Sequence, residues 1–154
     1  MREGDDNRLI AWDRELTAAH QRLRAALRVA RDSLDGGEAV LPRDLLLYCH
    51  GFCAALSGHH VSEDTGLFQA LSARHPDLRP VIAKLEQDHS MIAWLLQQLG
   101  QALDAGAPAN ELVLHLVGIS AIMESHFRYE ERRLLGTLAT LDLDAEPSSF
   151  LGPL

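Results

Sequence analysis

Positive charge is scarce in this chain. It carries 14 Lys+Arg against 22 Asp+Glu, a formal charge of −8 at neutral pH. That balance excludes the basic footprint that nucleic-acid binding requires. Lysine in particular is almost missing, with Lys84 the one example and every other cation an arginine. No apolar run approaches the roughly 18 residues needed to cross a bilayer. The N-terminus, MREGDDNRLIAW, has acids where a signal peptide has basic residues leading into an apolar stretch, so a cytoplasmic location is expected. Cysteine is limited to Cys49 and Cys53, four apart in an apolar segment. On a helix they share a face, which suits two small buried side chains, with a disulfide or a soft-metal pair as the alternatives. Alternating strand patterns, internal repeats and low-complexity tracts are missing as well.

What the chain does have is helical periodicity. Its 154 residues, 47% of them hydrophobic, fit one soluble domain over 1–154 with a real core. Four segments carry apolar stripes stepping by three and four. The first runs Leu9, Trp12, Leu16, Leu23, Leu27, Ala30, Leu34 and stops at Asp35-Gly36-Gly37. The second opens near Pro42, reads Leu45, Cys49, Phe52, Leu56, Leu67, Leu71, and ends at His75-Pro76-Asp77. The third starts around Leu78, with Pro80 in its first turn, and runs through Ile82, Leu85, Ile92, Leu96, Leu99 and Leu103 to Gly106-Ala107-Pro108. The fourth, with Asn110 or a neighbour as its cap, reads Leu112, Leu116, Ile119, Met123, Leu134, Leu138, Leu141. Glu146 onward reads as an irregular tail. Short connections make sequential helices antiparallel, so the expected fold is all-α, a single up-down-up-down four-helix bundle with its core over about 9–141.

The stripes contain polar residues in phase. His20 lies between Leu16 and Leu23, and His89 between Leu85 and Ile92. His59 and Glu63 fill the interval from Leu56 to Leu67; His126 and Glu130 fill that from Met123 to Leu134. Each therefore points at the bundle axis. One such histidine is usually a satisfied core residue, but here every helix contributes one. The acids are more telling. Burying an ionised carboxylate costs several kcal/mol, so buried acids are paired or bind metal, and no lysine interrupts the stripes beside Glu63 or Glu130. Each follows a histidine by four residues and shares its helix face. Four imidazoles and two carboxylates suit Fe or Mn better than Ca or Mg. Zinc usually takes four ligands, so six favour two ions with bridging carboxylates.

Taken together, His20 with Leu23 and Arg24, His59-His60-Val-Ser-Glu63-Asp64-Thr-Gly-Leu-Phe, Asp88-His89, and His126-Phe-Arg-Tyr-Glu130-Glu131 resemble the hemerythrin-like HHE cation-binding domain family over about residues 9–141. The resemblance implies a non-haem di-iron centre, bridged by the two glutamates and by an oxo- or hydroxo-type oxygen species. Carried over, it gives His20, His59, Glu63, His89, His126 and Glu130 as metal ligands, with Mn or Zn as lesser alternatives to iron and Arg24 as a structural partner near the site. Oxygen-carrying members place two histidines four apart on the third helix. Here Leu85 stands four before His89, which leaves four histidines rather than five. That count resembles the enzymatic, repair and sensing members, and leaves open positions where peroxide, dioxygen or nitric oxide can bind.

Two registers stay open: His60 and Asp64 are also four apart, though the phase of Leu56 and Leu67 favours His59 and Glu63, and Glu131 replaces Glu130 if its helix is irregular. His115, eleven residues before His126, is roughly 16 Å away along a helix, too far to join. His50 and His75 read as exposed or capping residues, and Tyr129 and Trp94 as core aromatics. The expected function is a di-iron protein that binds and reacts with oxygen species, with catalase- or peroxidase-like turnover as one outcome. The alternative is a sensor of oxygen, nitric oxide or iron, or an iron store. No membrane or nucleic-acid partner is expected, and a redox or signalling partner is left unspecified.

Overall fold

The structure, a computed structural model, describes residues 10–35 and 42–153. Its helices are α1 (Trp12–Asp35), α2 (Pro42–Ser62), α3 (Phe68–Arg74), α4 (Arg79–Asp104), α5 (Ala109–Leu138) and the short α6 (Pro147–Leu151). Leu9, Gly36 and Gly37 lie outside the described residues, as does the side chain of Leu45. A π-helical stretch, Glu63–Leu67, joins α2 to α3 with helical backbone on both sides, so the three form one continuous rod. Residues 59, 63, 67 and 71 advance by four each time, and in an α-helix of 3.6 residues per turn each such step drifts about 40° around the axis. The wider π turn takes up the drift and keeps Glu63, Leu67 and Leu71 all buried.

Helix ends follow local chemistry. Gly106, at φ 71°, closes α4 by accepting the left-handed conformation, with Ala107 N bonding Ala102 O at 3.0 Å and Gly106 N bonding Leu103 O at 3.1 Å. A short 3-10 turn, Pro76–Leu78, precedes α4, whose first turn holds Pro80 as expected. Asn110 is not the cap of α5. Pro108, already extended at ψ 158°, occupies that position, and no side chain bonds the first turn.

α1 packs on α2 and α5, and α4 packs on α5 and α2, closing a four-membered bundle of antiparallel neighbours. Two apolar layers fill its ends. One gathers Leu27, Phe52, Leu99, Leu116 and their neighbours; the other gathers Trp12, Leu16, Leu71, Ile82, Leu85 and Leu138. Each buried leucine contributes roughly 1.5–3 kcal/mol. Cys49 and Cys53 are free thiols in the first layer, the bland outcome, and burial followed by the neighbouring Cys49 pushes the Cys53 thiol up to about 11. The tail is more ordered than its sequence suggests. α6 folds back on α1, α2 and the π stretch, and Leu151 is buried in the second layer. Among the described residues, no helix is long and apolar enough to cross a membrane.

Candidate metal centre

Between the two apolar layers lies a polar one. His20 comes from α1, His59 and His60 from α2, Glu63 from the first position of the π stretch, His89 from α4, and His126 and Glu130 from α5. All seven are buried, with His20, His59, Glu63 and Glu130 at 0% exposure. Their inward atoms form two groups, each with every ligand atom within 4.8 Å of the others: His20, His59, Glu63 and Glu130 in one, His60, Glu63, His89 and His126 in the other. Glu63 belongs to both. Its Oε1 lies 3.2 Å from His59 Nε2 and 3.4 Å from His89 Nε2. Glu130 Oε2 lies 3.4 Å from His20 Nε2 and 3.5 Å from His126 Nε2. All six residues singled out in the sequence thus meet at one level of the bundle.

The structure adds a fifth imidazole, which corrects the expectation of four. His60 stacks on His89, with ring centroids 3.8 Å apart and planes at 10°, and its Nε2 faces the same interior. Sequence phase offered His59 or His60 as alternatives because it treated the buried stripe as a line. Adjacent residues differ by about 100° around a helix, and a layer fed by all four helices is broad enough to bury both. The register alternatives Asp64 and Glu131 resolve differently. Neither displaces its neighbour; each bonds the outer nitrogen of a histidine. Asp64 Oδ1 accepts from His89 Nδ1 at 2.7 Å, and Glu131 Oε2 accepts from His20 Nδ1 at 3.0 Å.

The same pattern extends to Asp88, which accepts from His126 Nδ1 at 3.2 Å, and to the main-chain oxygen of Leu151, which accepts from His59 Nδ1 at 2.7 Å. A proton held on Nδ1 leaves the Nε2 lone pair aimed inward, the arrangement a metal-binding imidazole needs; it is unpartnered on His20 and His59, whereas His89 Nε2 and His126 Nε2 lie 3.0 Å from each other. The Asp88-His89 pair was visible in the sequence; the role of Asp88 toward another helix was not. Arg24 stands one step further out, donating to Glu124 at 2.9 and 3.1 Å and to Glu131 at 3.2 and 3.3 Å. It holds Glu131 against His20, the supporting place expected of it.

The interior is left unsatisfied. His20, His59 and His60 Nε2 and all four carboxylate oxygens of Glu63 and Glu130 are buried without a hydrogen-bond partner. Burial, then the charge of Glu130, pushes the Glu63 carboxyl well above its ordinary range. Burial also opposes charge on His89, but the bond to Asp64 and the contact with Glu63 outweigh it and raise the imidazole to about 9. His60 has no such partner, and burial with neighbouring imidazoles lowers it well below its usual value. Such a set of lone pairs fits cations: mixed imidazole and carboxylate donors, converging in two overlapping groups, in a dry layer. Phe127 walls the layer, stacked on His20 at 3.9 Å, and Phe68 stacks on His89 at 5.5 Å.

The remaining sequence candidates lie elsewhere. His50 is exposed and 3.8 Å from Asp104, His75 follows the end of α3, and His115 is half-buried outside both groups. Tyr129 packs on the second apolar layer under Lys84, as a core aromatic should. Trp94 does not; it is 58% exposed, because its position on α4 falls off the buried stripe.

No curated protein and no solved structure gives a significant match. A family description, the hemerythrin HHE cation-binding domain, matches residues 13–138. With the match spanning all four long helices and every residue of the polar layer, the chain belongs to the hemerythrin HHE cation-binding domain family.

Proposed function

We propose that this protein holds two iron ions in the polar layer and uses them to bind small oxygen species: dioxygen, peroxide or nitric oxide. His20, His59 and Glu130 serve one ion, His60, His89 and His126 the other, and Glu63 stands between them. The observation that carries the reading is the set of seven buried, unpartnered donor atoms converging from α1, the rod of α2 and the π stretch, and α5. A core has no other use for them, since an unpaired buried charge costs several kcal/mol. Bound iron supplies Lewis acidity and redox equivalents. The chain's residues orient the donors through their outer hydrogen bonds and, through Phe127 and Phe68, exclude water.

Within that reading, turnover and reversible binding make different demands. Four histidines and more open positions favoured chemistry such as peroxide disproportionation. The fifth imidazole, His60, removes that ground and favours reversible binding. Among the described residues, no acid–base side chain stands in the layer apart from the donors themselves. The distinguishing experiment adds hydrogen peroxide to the iron-loaded protein while oxygen release and the near-ultraviolet spectrum are followed. A single reversible spectral change is expected; rapid evolution of oxygen over many turnovers assigns the protein to the peroxide-consuming alternative. A colourless protein holding stoichiometric zinc overturns both.

A further inference from the structure

Three inner imidazoles are held from outside by carboxylates on the bundle helices: His20 by Glu131, His89 by Asp64, His126 by Asp88. His59 is held by a main-chain oxygen instead, that of Leu151, in the C-terminal segment. The seat for this segment is built into the rod that bears the ligands. A Cβ at Gly66, in the π stretch, would lie 2.6 Å from Phe150 Cδ1; a Cβ at Gly152, where φ is +90°, would lie 3.0 Å from His59 N. At both positions a side chain has no room, and at Gly152 the backbone favours glycine as well. Trp12 secures the approach, packing on Phe150 at 5.3 Å between centroids and donating its indole N–H to Leu143 O at 3.0 Å.

We propose that residues 146–153 are a working part of the metal centre, with Leu151 as a positioning residue whose carbonyl fixes the tautomer of His59. The inference rests on the metal-binding reading above. Without an acceptor at Nδ1, a buried neutral imidazole moves its proton to Nε2, where Glu63 Oε1 waits 3.2 Å away. That internal hydrogen bond consumes the lone pair a metal needs. The segment therefore acts directly on the group containing His20 and His59, and it holds none of the three imidazoles, His60, His89 and His126, of the other group. The two metal positions are unequal in what supports them: one depends on the C-terminal segment, the other on the four-helix frame.

The test uses Gly152→Val, which drives a side chain into the His59 backbone, and a chain ending at Ala145. Leu103→Ala, in the distant apolar layer, controls for lost stability. In the metal-free protein, imidazole nitrogen NMR places the His59 proton on Nδ1. Both strap variants shift it towards Nε2, and the control does not. On titration with Co(II), the native chain takes up two equivalents. The strap variants keep one at native affinity and weaken the other about 10–100-fold, the range typical of lost outer hydrogen bonds to metal ligands. A His59 proton that stays on Nδ1 in both variants, or two equivalents that weaken together or not at all, overturns the proposal. Should the shortened chain lose its helical circular dichroism, Phe150→Ala unseats the segment more gently and takes the same measurements. A native chain that binds no cobalt defeats the metal reading, and the NMR result still decides whether Leu151 positions His59.

Discussion

Glu63 and Glu130 lie side by side with every carboxylate oxygen buried and unbonded, flanked by imidazoles of which His20, His59, His89 and His126 have their outer nitrogens engaged elsewhere. Asp64 and Glu131, one residue further on, bond histidine nitrogens from the outside. Neighbours of identical chemistry thus hold different roles, and substitution separates them. Glu63→Ala and Glu130→Ala abolish binding of at least one ion, whereas Asp64→Ala and Glu131→Ala keep both sites at about 10–100-fold lower affinity, as isothermal titration measures. Equal losses in all four variants would contradict this division. The inner glutamates were legible in the sequence because an acid on an apolar stripe is costly wherever it occurs. The outer partners were not, because Asp88, Asp64 and Glu131 each serve a histidine on a different helix. His60 escaped for a geometric reason: a stripe drawn one residue wide admits His59 or His60, and the buried arc is wider than that.

Among the helices, the rod of α2, the π stretch and α3 carries the most information. Its apolar positions were readable one by one, but their spacing did not mark the π turn, since His126, Glu130, Leu134 and Leu138 keep the same four-residue steps buried in an unbroken α-helix. In the fourth sequence segment an irregularity was only the condition for Glu131 to replace Glu130; the structure has one in the second, where it aligns Glu63 with Leu67 and presents Gly66 to Phe150. Gly66→Leu should therefore act on the tail rather than on the rod, since the added side chain meets the Phe150 ring at its Cβ. We expect a loss of about 1–3 kcal/mol, the usual cost of overpacking, read from urea denaturation. An unchanged midpoint would show that the tail yields freely. The tail itself looked irregular because Pro147, Ser148, Ser149, Gly152 and Pro153 mask a five-residue helix. Its one buried aliphatic, Leu151, carried no periodic signal.

The molecule as a whole is two apolar layers of ordinary packing around a buried layer of imidazole and carboxylate donors. The outer layers account for stability: truncating a buried leucine in either, as in Leu99→Ala, should cost about 2–5 kcal/mol while leaving metal stoichiometry intact. The polar layer behaves oppositely. A metal held by the folded site and not by the unfolded chain stabilises the fold by mass action, so a chelator should lower the melting temperature by several degrees, and the loss should be smaller in Glu130→Gln, which gives up a charged donor. The fold class was readable from periodicity at this scale; the common level of the four histidines was not, because periodicity fixes the face of a residue and not the axial offset between helices. What periodicity could not supply was the seal contributed from beyond the fourth helix.

The central claim is that the buried donors exist to hold a pair of cations. Elemental analysis of the protein saturated with Fe(II) without oxygen and freed of excess metal tests it most directly. Two ions per chain are expected, one for each donor group, falling to one or none in Glu63→Ala, the residue both groups share. A native chain that retains no iron, or a Glu63→Ala chain that retains both ions, contradicts the account.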